Sequence, residues 1–153
     1  MTMPVVARVE DAHEGKGLSE VLASGGTLAQ AQGLTREMGD VISALAEAEL
    51  DAGRADIARA ILEGLVATNH LDAAAWSLLS RAHRRLRQPL AARFCAEVAA
   101  RLAPGNPLIR LARAEALLAS AADRDEGRAE LVQLAGDATA GARARALLDA
   151  LGP

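Results

Sequence analysis

The sequence predicts an all-α array of stacked helical hairpins. Three observations carry that prediction: a recurrence every 34 residues, an Ala- and Leu-rich composition, and capping or breaking residues at matching places. Ile42, Trp76 and Arg110 lie one period apart, as do Leu45 and Leu79, Ala46, Ser80 and Ala114, Ala58 and Ala92, and Asp72 and Asn106. The 153 residues form one domain with room for about seven helices of ordinary length.

The elements follow in order. Residues 1–16 mix Pro4, acidic residues and Gly15 without a sustained period and read as a mobile arm. Lead-in helices occupy 17–35: one from Leu18 to Ala23, stopped by Gly25-Gly26, and a short turn opened by Thr27 and ended by Gly33. Thr35 caps the first long helix. The first repeat, about 39–72, buries Val41, Ile42, Leu45 and Ala48 from its first helix, turns at Gly53, and presents Ile57, Ala58, Ile61, Leu62 and Leu65 from its second. In the second, 73–106, Asp72 is the cap, Trp76 fills the space between paired helices, Pro89 opens the second helix, and Ala92, Cys95, Ala96 and Ala99 face inward. The third, 107–137, starts at Asn106-Pro107 and uses Ile109, Ala112, Ala116 and Leu117. A longer turn from Ala121 to Glu126 makes Leu131 and Leu134 arrive late. A helix over 139–151, showing Ala142, Ala146, Leu147 and Ala150, caps the stack.

A 34-residue helix–turn–helix period resembles the tetratricopeptide repeat, so the fold expected is a superhelix of three hairpins between capping helices. The chain further resembles the class II chaperones of type III secretion systems. Three stretches carry that likeness: Leu22 to Ala29 with Gly33-Leu34-Thr35; Leu45-Ala46, Ala52-Gly53-Arg54 and Ala58, then Asp72 and Trp76; and Asn106-Pro107 with Ala114-Glu115-Ala116-Leu117-Leu118. The resemblance spans about residues 18–135 and implies a cytoplasmic bacterial protein that holds a translocator, or a related secreted client, through an extended segment. It also implies self-association through the N-terminal region, here Leu18, Val21 and Leu22, and in some relatives a transcriptional activator as partner. The family lines its first groove slots with aromatic residues, where this chain has Ser43, Glu47 and Leu50.

Helical spacing assigns the concave surface. It takes Asp40, Ser43, Glu47, Leu50 and Asp51 from the first repeat, Ala74, Ser77, Arg81, Arg84 and Arg85 from the second, and Leu108, Leu111, Glu115, Leu118 and Ala119 from the third. One period's step aligns Glu47, Arg81 and Glu115 in a row and sets Asp51 opposite Arg85. The arginines suit an acidic or carbonyl-rich segment, and the leucines suit apolar anchors. The same charges also fit mutual pairing across repeats, each exposed pair contributing about 0–1 kcal/mol.

Other functions find little support. Net charge −3 without basic excess argues against nucleic acid, and His13, His70 and His83 lack metal-ligand spacing. Gly25-Gly26-Thr27 has neither the length nor the lysine of a phosphate loop, and no serine has His and Asp in a recognisable pattern. Neither an enzyme nor a cofactor protein is expected. The single Cys95 reads as a small buried hydrophobe in a reducing compartment, and no apolar run suggests a signal peptide or a membrane span. The alternative reading is a general repeat adaptor that bridges soluble partners.

Overall fold

The computed structural model describes residues 17–153. The arm over 1–16, with His13, lies outside the described residues. Nine α-helices and one 3-10 turn build the described part, with no strand among them: α1 (Leu18–Ala23), α2 (Leu28–Ala31), α3 (Arg36–Asp51), α4 (Ala55–Thr68), α5 (Ala73–Arg85), α6 (Pro89–Leu102), α7 (Pro107–Leu118), the 3-10 turn (Ala121–Asp123), α8 (Arg124–Leu134) and α9 (Gly141–Leu151). None of these helices is long and apolar enough to cross a membrane.

The starts are set by side-chain caps. Thr27 and Gln30 form a reciprocal capping box on α2, the Thr27 hydroxyl accepting the Gln30 N–H and the Gln30 side chain accepting the Thr27 N–H. Thr35, Asp72 and Asn106 accept backbone N–H groups at the starts of α3, α5 and α7. Pro89 and Pro107 sit in first turns, where a missing N–H costs nothing.

Helices α3/α4, α5/α6 and α7/α8 pair as three hairpins, and each first helix also packs on the preceding second helix, α5 on α4 and α7 on α6. Each hairpin buries small residues between its helices. Ala46 and Ala58 are both fully buried in the first. In the second, the buried Ser80 hydroxyl donates to the Ala92 carbonyl at 2.7 Å. In the third, Gly127 lies so near Ala114 that a Cβ would come within 3.0 Å of its carbonyl. Gly127 stands one residue beyond the slot that Ala58 and Ala92 share, so the longer turn adds a single net residue before the helices cross.

The turns within the first two hairpins repeat in detail. Gly53, at φ +82°, and Arg87, at φ +57°, occupy the same slot one period apart. The next residue's N–H closes each turn, Arg54 on the Glu49 carbonyl and Gln88 on the His83 carbonyl, both at 2.9 Å. The side chains of the same two pairs also meet, Arg54 with Glu49 and His83 with Gln88.

Repeats one and two share a core of Ala46, Leu50, Ala58, Leu62, Leu65 and Leu79 with Cys95. A smaller patch of Ala92, Ala96 and Ala116 joins α6 to α7, and a third cluster joins α7, α8 and α9. Trp76 packs beside the first core, its indole N–H donating to the His70 carbonyl at 2.9 Å and its ring meeting Phe94 edge-on. In the third repeat the slots of Trp76 and Leu79 hold arginines. Arg110 bonds Glu130 and Gln133, and Arg113 gathers Glu97, Glu126 and Glu130 from α6 and α8. Ionic contacts there take the place of apolar packing.

Three expectations are corrected. Val41, Ile42, Leu45 and Ala48 are the exposed side of α3, whereas Ala46 and Leu50 are its buried residues, because α4 and α5 lie against the other face. Ile57 is exposed as well. Helix α9 buries Gly141 and Ala144 and packs Leu147, Leu148 and Leu151 inward, leaving Ala142, Ala146 and Ala150 in solvent.

Two stability effects follow. Arg87→Gly relieves a left-handed conformation that costs a residue with a Cβ about 1 kcal/mol, and the urea midpoint should rise. Ser80→Leu forces a large side chain into the α5/α6 crossing, for about 1–3 kcal/mol of destabilisation; the same unfolding curves should show the midpoint fall, further than for Ser80→Ala.

Candidate functional site

Helices α3, α5 and α7 line one side of the stack, and their side chains form the surface that helical spacing assigned to the groove. The structure sorts those residues into three groups. Glu47, Asp51, Arg81, Arg84 and Glu115 interact along the floor. Ser43 and Ser77 are half-buried, while Arg85 and Leu108 are exposed. Leu50 and Leu111 are core residues, and Leu118 packs on the α7–α9 cluster. Leu50 and Leu111 are therefore corrected as apolar anchors: Leu50 lies against the α3/α4/α5 core, and Leu111 sits in the cluster that α9 completes. Of the groove leucines only Leu108 is open.

The ionic pairing also differs from the aligned row. Arg81 holds Asp51 at 2.5 Å and Glu47 at 3.4 Å, so Asp51 faces Arg81 and not Arg85. Glu115 is taken by Arg84 at 2.5 Å and by Arg143 of α9 at 3.0 Å. Glu47 and Arg81 pair in register, whereas the partner of Asp51 lies four residues before its equivalent slot and that of Glu115 lies three residues after its own. Arg143 was missed because the capping helix was not counted as groove wall; the Arg143, Arg145 pair at its start was the available signal.

These pairings give the face an electrical polarity. Towards the first repeat, Asp40, Glu47 and Asp51 against Arg81 leave two net negative charges. Towards the third, Arg84, Arg85 and Arg143 against Glu115 leave two net positive charges. The Nε of Arg84 is buried without an acceptor among the described residues, an unmet donor that costs about 1–3 kcal/mol.

On the opposite side of α5, an apolar cavity of about 350 Å³ opens between α4 and α6, lined by Val66, Trp76, Leu79, His83, Phe94 and Cys95. Burial pushes the Cys95 thiol up to about 11, leaving it uncharged and a poor nucleophile at neutral pH. At the N-terminal end, Val21 is buried against Gly26 in the α1/α2 pair, which corrects it as a self-association contact. Leu18 and Leu22 remain exposed there.

By sequence, the chain matches no family model and no curated protein. By structure it is similar to the type III secretion translocator chaperone SycD of Yersinia enterocolitica, with TM-score 0.71 and 20% identity over 82% of this chain and 98% of that one. A type III secretion complex from Aeromonas hydrophila gives TM-score 0.72 and 23% identity over 86% and 92%. PcrH in complex with the chaperone-binding region of PopD gives TM-score 0.65 and 26% identity over 77% and 93%. PcrH has also been solved with the chaperone-binding region of PopB, and SycD with a peptide of the translocator YopD. The chain therefore has the all-α fold of these type III secretion translocator chaperones and spans nearly their whole length.

Proposed function

We propose that this chain is a chaperone for a type III secretion translocator or a closely similar client, which it holds along the concave face and keeps soluble for export. The observation that carries the reading is the shared fold with chaperones that have themselves been solved with translocator segments. The polarity of the face supports it and gives the client a direction. An extended segment lies with its basic end over Asp40, Glu47 and Asp51 and its acidic or carbonyl-rich end over Arg84, Arg85 and Arg143. Arg84, with a free buried Nε, gains an acceptor when a client carbonyl arrives. Leu108 supplies the exposed apolar contact, with Ser43 and Ser77 as hydrogen-bonding groups on the floor. Without aromatic residues in these slots, hold depends on backbone hydrogen bonds and charge, and it weakens with added salt.

Co-expression with a candidate translocator from the same host tests the reading. The wild type should move that protein from pellet to supernatant, whereas Arg84→Glu combined with Leu108→Asp should lower the affinity for the bound segment by about tenfold or more. A client equally insoluble with and without this chain would overturn the chaperone reading. Undiminished binding by the double variant would remove the site from the concave face.

A further inference from the structure

Among the described residues the array is closed at one end and open at the other. Each first helix after α3 has two second helices against it, its own and that of the preceding repeat, whereas among these residues α3 has only α4. The 34-residue period lets the same slots be compared in covered and uncovered form. The slot of Val41, Ala75 and Ile109 is 70%, 0% and 6% exposed. Leu45 is 54% exposed where its counterpart Leu79 is 3%. Ala48 is exposed, while Ala82 and Ala116 are buried. In the second repeat these slots are covered by α4, whose Leu62, Leu65 and Val66 share the core with Ala75, Leu79 and Ala82. In the third, α6 covers Ala116 through Ala92 and Ala96, and its Glu97 pairs with Arg113, which stands in the slot of Leu45 and Leu79. What fits the open slots of α3 is thus a helix with a small aliphatic face.

Charge narrows the occupant. Helix α3 carries Glu37, Asp40, Glu47, Glu49 and Asp51 against a single base, Arg36. Glu47, Glu49 and Asp51 are already paired with arginines, and Glu37 and Asp40 rim the apolar side without an ion pair among the described residues. A second copy of α3 laid against this side would bring an equally acidic helix, with its own unpaired Glu37 and Asp40, to the same acidic rim. A helix flanked by Lys or Arg meets the same rim favourably.

We propose that the open side of α3 is a docking surface for an amphipathic helix of a partner protein, with an aliphatic face and a basic flank, which takes the place of the missing preceding second helix. This surface adjoins the client face along Asp40 and stands without the client reading. Its core is Val41, Leu45 and Ala48, with Met38 and Ile42 at its margins.

Two synthetic helical peptides with the same Leu/Ala face, one flanked by Lys and the other by Glu, test it by fluorescence anisotropy on the full chain. The Lys-flanked peptide should bind at least about tenfold more tightly than the Glu-flanked one. Val41→Gln with Leu45→Gln should weaken binding at least about tenfold while leaving the circular dichroism unchanged, since both side chains are more than half exposed and Gln is a good helix former. Glu37→Lys should narrow the preference between peptides, and Arg84→Glu with Leu108→Asp should leave it intact. Binding of neither peptide, or equal binding by the wild type and the Val41/Leu45 variant, overturns the proposal. Sedimentation showing a homodimer that the Val41/Leu45 variant dissolves also overturns it, giving the surface to a second copy. None of these outcomes alters the client test, which reads a different face.

Discussion

The structure depends on the close crossing of small residues inside each hairpin. Ser80 on Ala92 and Ala114 on Gly127, with Ala46 and Ala58 fully buried in the first hairpin, let short side chains fill the space between helices. A chain with one Trp, one Phe and no Tyr can have a dense interior only if its helices approach this closely. The small slots and the scarcity of aromatic residues are thus one constraint seen twice. Gly127 shows how it is met when the turn lengthens, since the net extra residue is absorbed before the crossing and the contact is made by the one residue lacking a Cβ.

From the first repeat to the third, the packing changes character. Repeats one and two share an aliphatic core, whereas the third draws α6, α7 and α8 together through Arg110 and Arg113 and their carboxylates. Helix α9 then adds Leu147, Leu148 and Leu151 on one side and Arg143 on the other, closing the apolar end and extending the ionic floor with the same element. The side formed by α3, α5 and α7 acquires its polarity in this way. Its basic side is made partly by the cap, and its acidic side by the first helix of the array.

Much of this was legible in the sequence. Caps at Thr27, Thr35, Asp72 and Asn106, the extent of α1, and the inward set Ala92, Cys95, Ala96 and Ala99 follow from local rules and from periodicity within one helix. Orientation was harder. The apolar stripe on α3 marked Val41 and Leu45 for burial, and in the second repeat both slots are buried, but by a helix that precedes them. Periodicity finds an apolar face without saying what covers it. Leu50 failed in the opposite direction, because the groove template assigned to solvent a slot that α4 and α5 enclose. Ionic partners were displaced for a third reason: the period makes slots equivalent, while the packing of neighbouring helices decides which of them touch. Arg87 shows a further limit, since a left-handed residue with a Cβ is invisible until its slot is matched with Gly53.

The placement of the single indole has an experimental corollary. Trp76 begins α5 in the middle of the stack, in contact with Phe94 and with the carbonyl of His70 at the end of the first hairpin. With no tyrosine present, near-ultraviolet absorbance and intrinsic emission come almost wholly from that junction. Repeat arrays lose their ends before their centres when neighbouring units stabilise one another. Fluorescence therefore reports the fate of the first and second repeats and passes over fraying at α1, α2 and α9, which far-ultraviolet dichroism counts in full. A gap between the two transitions measures the terminal fraying directly, without any introduced label.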